Sequence, residues 1–262
     1  MTDLEISPST VNEIDVCIPT WNSEQVLRTS LDHLAQSEDK SLVDISCLYI
    51  IDNNSEDGTV KIAQEAAEEY GWEISIFCEK TNLSEARKLA VSKASADWIL
   101  FLDDDVRIEP AYLSNLAAAA APLVGGVQGI KKTNTSKHNS NWVRWRSHRS
   151  GTHATLLRRK TVDGINIPKE ITVLEDEYIR KYVEENGWLW VYNHQSIYRH
   201  DNMGRHPPSW EQGYLAGKYD LMSFCLVLRS SLATVKSGKY ILEGLKQICG
   251  WLAGRIKRER DN

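Results

Sequence analysis

No two of the five cysteines, Cys17, Cys47, Cys78, Cys225 and Cys249, stand in a CxxC pair, and their number is odd. Such spacing argues against a zinc site and against a disulfide framework, so they read as buried, reduced thiols. Long apolar runs are missing too. The longest are broken by Pro122, Gly125 and Gly126 or by Arg229, well short of a membrane-spanning length. The segment from Met1 to Asn12 is polar and carries Asp3 and Glu5 where a secretory signal needs basic residues followed by an apolar core. The expected location is therefore cytoplasmic, at most peripheral at the inner face of the cell membrane. Excess basic charge is absent: 31 Lys and Arg against 36 Asp and Glu give a net charge of -5, so no nucleic-acid partner is expected. The first strand is followed by no GxGxxG and the chain has no GxxxxGKS/T, which speaks against dinucleotide or ATP chemistry.

What is present is a chain of 262 residues, 42% hydrophobic, enough for one large core with a helical appendage. From Ile14 to Leu102, short runs rich in β-branched residues alternate with segments of helical period, the pattern of βαβ units. Strands are predicted over 15–19, 44–52, 73–78 and 98–102, with helices over 24–36, 59–70 and 84–93, the last capped by Ser84. Crossovers of this length imply a mostly parallel sheet flanked by helices, an α/β class. Beyond Asp105 the rhythm changes. A helix is expected over 110–121, strands over 126–130, 152–157, 188–192 and 196–198, and a helix over 175–186 stopped by Gly187. The tail from Trp210 reads as mostly helical, which places a catalytic domain at 1–209 and a helical extension at 210–262.

Three strand ends carry unusual residues: Pro19-Thr20-Trp21-Asn22, Asp52-Asn53-Asn54-Ser55, and Asp103-Asp104-Asp105. In a parallel sheet these ends share one edge, where ligands bind. Adjacent carboxylates repel one another unless a cation neutralises them, and Mg²⁺ or Mn²⁺ completed by phosphate oxygens suits such a cluster. An aromatic side chain there can stack on a base, and a carboxylate can accept from a base or ribose. Together they compose a nucleoside-diphosphate site.

The order of these motifs resembles the family 2 glycosyltransferases of the GT-A fold. Ile18 to Asn22 is similar to the family's opening Pro-x-aromatic-Asn segment, and Ile51 to Thr59 to its Asp-rich loop. Asn82 with Ala86-Arg87, then Asp97 to Asp105, is similar to the stretch leading into its DxD motif. Leu174-Glu175-Asp176-Glu177, followed by Arg180 and Gly187, is similar to the segment that supplies its catalytic base, and Tyr198-Arg199-His200 to a strand ending in His. The chain departs from the family at Asn53, where Asp is common, and at Leu83, Lys88 and Leu89, where Gly, Asn and Gly are common.

The resemblance implies a GT-A, Rossmann-like sheet and an inverting, metal-dependent hexosyltransferase. Its implied donor is a nucleotide-diphosphate sugar and its acceptor a hydroxyl on a glycan, polysaccharide or lipid-linked molecule. Pro19, Thr20, Trp21, Asn22, Asp52, Asn82, Arg87, Asp103 and Asp104 are then expected on the donor, and Asp103, Asp105 and His200 on the metal, Mn²⁺ or Mg²⁺. Asp176 becomes the general base, and Trp142, Trp145, His153 and Glu175 are candidates for acceptor contact. The basic, apolar C-terminal helices have two readings: by default they pack on the catalytic domain with a solvated basic face, and alternatively they offer a membrane-surface contact. Two rivals stand beside this reading: a nucleotide-sugar-binding protein without turnover, and a haloacid-dehalogenase-like phosphatase, which would place Thr or Val where Arg107 stands.

Overall fold

The computed structural model describes residues 11–132, 151–200, 209–235 and 241–261. They form two compact units, one running through Asn166 and resuming over 182–201, the other comprising 167–181 and 202–262. The second unit thus takes in residues ahead of the expected 209/210 break.

Among the described residues the first unit is built on eight strands. They are β1 (Glu13–Thr20), β2 (Asp44–Asp52), β3 (Glu73–Cys78), β4 (Trp98–Leu102), β5 (Val106–Ile108), β6 (Val124–Lys131), β7 (Ala154–Arg158) and β8 (Leu189–His200). Their spatial order is β3-β2-β1-β4-β7-β6-β8-β5. Pairings β1/β2, β1/β4, β2/β3 and β6/β8 are parallel; β4/β7, β6/β7 and β5/β8 are antiparallel. The sheet is therefore mixed. Its parallel half follows from crossovers through α1 (Leu27–Ser37), α2 (Thr59–Tyr70) and α3 (Leu83–Lys93).

Apolar spacing explains how these elements dock. Every residue of β4 is buried, as a strand covered on both faces must be. Leu27, Leu31 and Leu34 fall on one face of α1 and are fully buried, each contributing about 1.5–3 kcal/mol of transfer free energy. Helix α2 ends at Gly71, whose φ of 74° is left-handed, a conformation that favours glycine. Helix α4 (Tyr112–Ala118) places Tyr112 under the sheet, where its hydroxyl donates to the Ala154 carbonyl at 2.6 Å. Gly129 on β6 gives the ring its room: a Cβ there would collide with the Tyr112 hydroxyl.

Several local expectations are corrected. Asn82, not Ser84, caps α3 in a reciprocal capping box: its side chain accepts from Glu85 N at 2.9 Å, and Glu85 Oε2 accepts from Asn82 N at 3.0 Å. The two short strands expected at 188–192 and 196–198 are one continuous β8. Strand β5, three residues long, has no counterpart in the sequence reading. All five cysteines are free, yet Cys17 alone is buried and Cys78, Cys225 and Cys249 are exposed. Cys78 ends the edge strand β3, and the other two lie on helix faces turned to solvent.

Helix α5 (Arg159–Val162) also belongs to the first unit. The division between units falls within α6 (Glu175–Glu185), at 181/182. The second unit contains α7 (Trp210–Lys218), α8 (Phe224–Val235) and α9 (Ile241–Asp261). Ala216, Met222 and Val227 form its small core, with Leu174, Ile248 and Trp251 against it. Helices α7 and α9 meet backbone to backbone. A Cβ at Gly213 or Gly217 would strike the carbonyls of Gln247 or Trp251, and one at Gly250 or Gly254 those of Trp210 or Tyr214. Asp220 ties the unit's turn to α9 through Arg255 at 2.9 Å and Arg258 at 2.7 Å.

Candidate active site

Two antiparallel ladders converge on the acidic corner after β4. In β4/β7, Leu102 faces Ala154, so Asp103 abuts His153: the Asp103 amide donates to the His153 carbonyl at 2.9 Å, and His153 Nδ1 lies 2.6 Å from Asp103 Oδ2. In β5/β8, Val106 faces His200, so Asp105 abuts His200, with Nε2 2.9 Å from Oδ1. The two imidazole rings lie 4.5 Å apart. One ligand atom each from Asp103, His153 and His200 lies within 4.8 Å of the others, a group able to hold a metal ion.

Charge around the corner is graded. Arg87, 2% exposed on α3, reaches Asp103 Oδ1 at 3.2 Å and lies over the Phe101 ring. Burial alone would raise the Asp103 carboxyl, but the adjacent His153, Arg87 and His200 outweigh it and hold it well below the ordinary range. Asp104 goes the other way. Burial, then the charges of Asp103 and Asp105, push it up to about 6 against a hydrogen bond from Ser23 Oγ. On the β6 side, Lys131 Nζ sits 3.0 Å from His200 Nδ1.

The other two strand ends are bound to this corner through Ser23. Its hydroxyl accepts from the Trp21 amide and donates to Asp104, and its amide donates to Thr59 Oγ1 at 2.7 Å. Asn22, with φ 50°, is in the left-handed region that Asn tolerates. It donates its amide to Ser55 Oγ at 2.8 Å and accepts at its side-chain oxygen from Glu56 N at 2.9 Å. Asp52 is 1% exposed, and its carboxylate accepts from Thr20 Oγ1 at 2.8 Å and from Ser55 N and Oγ at 2.7 and 2.6 Å. Pro19 lies within β1, opposite Ile51. Trp21 is 65% exposed. The first unit therefore brings together Thr20, Trp21, Asn22, Asp52, Arg87, Asp103, Asp104, Asp105 and His200 around one sheet edge.

His153 is the addition. It was expected near an acceptor; the structure joins it to Asp103. Its signal lies in strand register: a residue just ahead of the strand antiparallel to β4 must face the residue just after β4.

Asp176 and Glu175 belong to the second unit, on the first turn of α6, where Glu175 is buried. Leu174, which precedes them, has φ 65°, an uncommon conformation for a bulky side chain. Trp142 and Trp145 lie outside the described residues.

The profile described as Glycosyl transferase family 2 matches residues 15–174, more than half of the chain. The chain belongs to glycosyl transferase family 2. An N-acetylglucosaminyltransferase of Rhizobium leguminosarum bv. viciae is 29% identical over 144 residues, 54% of this chain and 32% of the relative. The chain thus spans about a third of that relative's length. Among solved structures, the mannosyltransferase PcManGT from Pyrobaculum calidifontis, in complex with GDP-Man and Mn²⁺, superposes with a TM-score of 0.62 at 14% identity, covering 96% of this chain and 76% of that one. Residues 1–349 of S. aureus TarS, in complex with UDP-GlcNAc, give 0.57 at 17% identity, covering 95% and 74%. These likenesses show the GT-A architecture of this family 2 member, and the family match removes the phosphatase rival.

Proposed function

We propose that this family 2 member transfers a hexosyl group from a nucleotide-diphosphate sugar to a hydroxyl of a glycan or lipid-linked acceptor, with inversion and with a divalent ion. The observation that carries the proposal is the convergence of Asp103, His153 and His200 beside the Asp52 and Trp21 loops. When bound there, a divalent ion would supply charge to offset the leaving diphosphate without proton transfer. Two imidazoles among three ligands favour Mn²⁺ over Mg²⁺, since magnesium prefers oxygen donors throughout.

The chain's own groups take the remaining roles. Trp21, exposed and anchored through its amide, offers a ring face for a nucleobase. A carboxylate has about four acceptor directions and Asp52 uses three internally, which leaves one on Oδ2 for a base or ribose donor. Arg87 holds Asp103 ionised and aimed. Asn82, engaged at its carboxamide oxygen as a cap, retains its NH₂ for the donor.

Asp176 is the proposed base. It would accept the acceptor hydroxyl's proton as the new bond forms, a contribution of about 10²–10⁴ in rate. The left-handed Leu174 just ahead supports a special turn there, since strained backbone clusters at functional positions. Asp176→Asn tests this directly. Transfer should be lost while metal-dependent UDP or GDP binding persists, and undiminished transfer would refute the assignment. A wild-type protein that binds donor but never transfers, across a panel of sugar acceptors, would favour the binding-only reading. Thermal-shift screening of UDP-, GDP- and dTDP-sugars with and without Mn²⁺ identifies the donor.

A further inference from the structure

Helix α9 presents two opposite faces, and its own unit uses one. Gly244, Gln247, Gly250 and Gly254 are buried, the last two against the backbone of α7. At three- and four-residue spacing around the other side run Leu242, Leu245, Cys249, Leu252 and Ile256, which that spacing stacks into a single stripe. Its four aliphatic members are 48% to 60% exposed, and Cys249 is exposed as well. Ile241, 52% exposed, widens the stripe at the helix start. A continuous aliphatic face of this kind on a surface marks an interaction site.

Charge along the flanks selects the occupant. Helical spacing puts Lys246, Lys257 and Arg260 on one border of the stripe, all exposed, with Lys257 also reaching Asp261 at 2.8 Å. On the other border, Glu259 is paired with Arg255 at 3.6 Å. Pairing with a second copy in antiparallel fashion would set the Lys246, Lys257 and Arg260 border against itself. Parallel pairing would set Arg255 against the second copy's Arg260. The antiparallel arrangement opposes like charges, and in the parallel one Arg260 would meet a border whose Asp220 and Glu259 are already engaged by Arg255, whereas an anionic lipid surface meets Lys246, Lys257 and Arg260 with attraction.

We propose that this face of α9 docks on an anionic bilayer. The helix lies in the interface plane, its aliphatic stripe sunk to the acyl boundary and Lys246, Lys257 and Arg260 among the headgroups. Its 21 residues span about 31 Å. Among the described residues no helix is long and apolar enough to cross a membrane, so the contact is one of lying on the surface. The docking does not depend on the donor or on the chemistry at Asp103.

Vesicle flotation of the full chain tests it, with phosphatidylcholine alone against phosphatidylcholine carrying about 30 mol% phosphatidylglycerol. Wild type should float with the anionic vesicles, and Leu245→Gln/Leu252→Gln should weaken that binding at least about tenfold. These side chains are exposed, so the thermal melt of the variant should match wild type. Lys246→Glu/Arg260→Glu keeps the stripe and reverses the border; it should abolish the preference for anionic over neutral vesicles. Wild type floating with neither vesicle overturns the proposal, as does equal flotation of wild type and the leucine variant. So does a wild-type dimer, seen in sedimentation velocity, that the leucine substitutions dissociate without changing flotation.

Discussion

Arg87→Met removes a guanidinium that is 2% exposed and 3.2 Å from Asp103 Oδ1 while keeping much of the stem that packs near Phe101. Removing one partner of a buried pair costs about 3–5 kcal/mol, because the remaining charge is left without compensation. Asp103 here keeps His153 at 2.6 Å and is itself 17% exposed, which places the cost at the lower end, about 3 kcal/mol. For a domain of this size that is a fall in Tm of about 6–12 °C. The assay is thermal unfolding of Arg87→Met, Asp103→Asn and the double variant without added metal. Because Asp103→Asn removes the stranded charge, the double variant should recover at least about 2 kcal/mol relative to additivity. A loss below about 1 kcal/mol for Arg87→Met, or strict additivity, would refute the view of Arg87 as the buried counterion of Asp103.

The other predictions concern different parts of the chain. Asp52→Ala leaves the Thr20 hydroxyl and the Ser55 amide without their shared acceptor, so unfolding experiments should show a loss of about 1–3 kcal/mol together with weaker nucleotide binding. Gly250→Val drives a side chain into the Trp210 carbonyl and should lower the stability of the second unit by about 1–3 kcal/mol or more, read by calorimetry, with the first unit's transition unchanged. Glu170 is held below its ordinary pKa by Lys218, then Tyr219, so its stabilising contribution is complete above the ordinary carboxylate value and disappears as pH falls through the lowered one. Melts recorded from neutral pH down to about pH 3 should therefore show a shallower loss in Glu170→Gln than in wild type.

The parallel half of the sheet was legible because each of its strands carries its own signal. The runs 59–70 and 73–78 end where apolar periodicity, Gly71 and the β-branched residues say they should, and their observed bounds agree with the reading. Strand β5 was not legible, since three residues cannot display a period. The carboxylates at Asp103 to Asp105 announced a cation site, but the group that completes it depends on an antiparallel register between strands some fifty positions apart in the chain. Periodicity within a segment carries no information about which segments pair, so the Asp103–His153 contact appeared only in three dimensions. Helix capping shows a local competition of the same kind. Asn82 and Ser84 are both good caps, and reciprocal bonding with Glu85 decides for Asn82. Cysteine burial failed for a simpler reason: composition suggests a compartment, whereas exposure depends on which face of α8 or α9 is covered.

The central claim is that Asp103, His153 and His200 share one divalent ion. Titration of Mn²⁺ into wild type and into His153→Ala and His200→Ala, in the presence of UDP or GDP and followed by the electron paramagnetic resonance of free Mn²⁺, addresses it most directly. Wild type should bind one ion per chain, and each histidine variant should bind it at least about tenfold more weakly. Wild-type affinity in both variants would contradict the account.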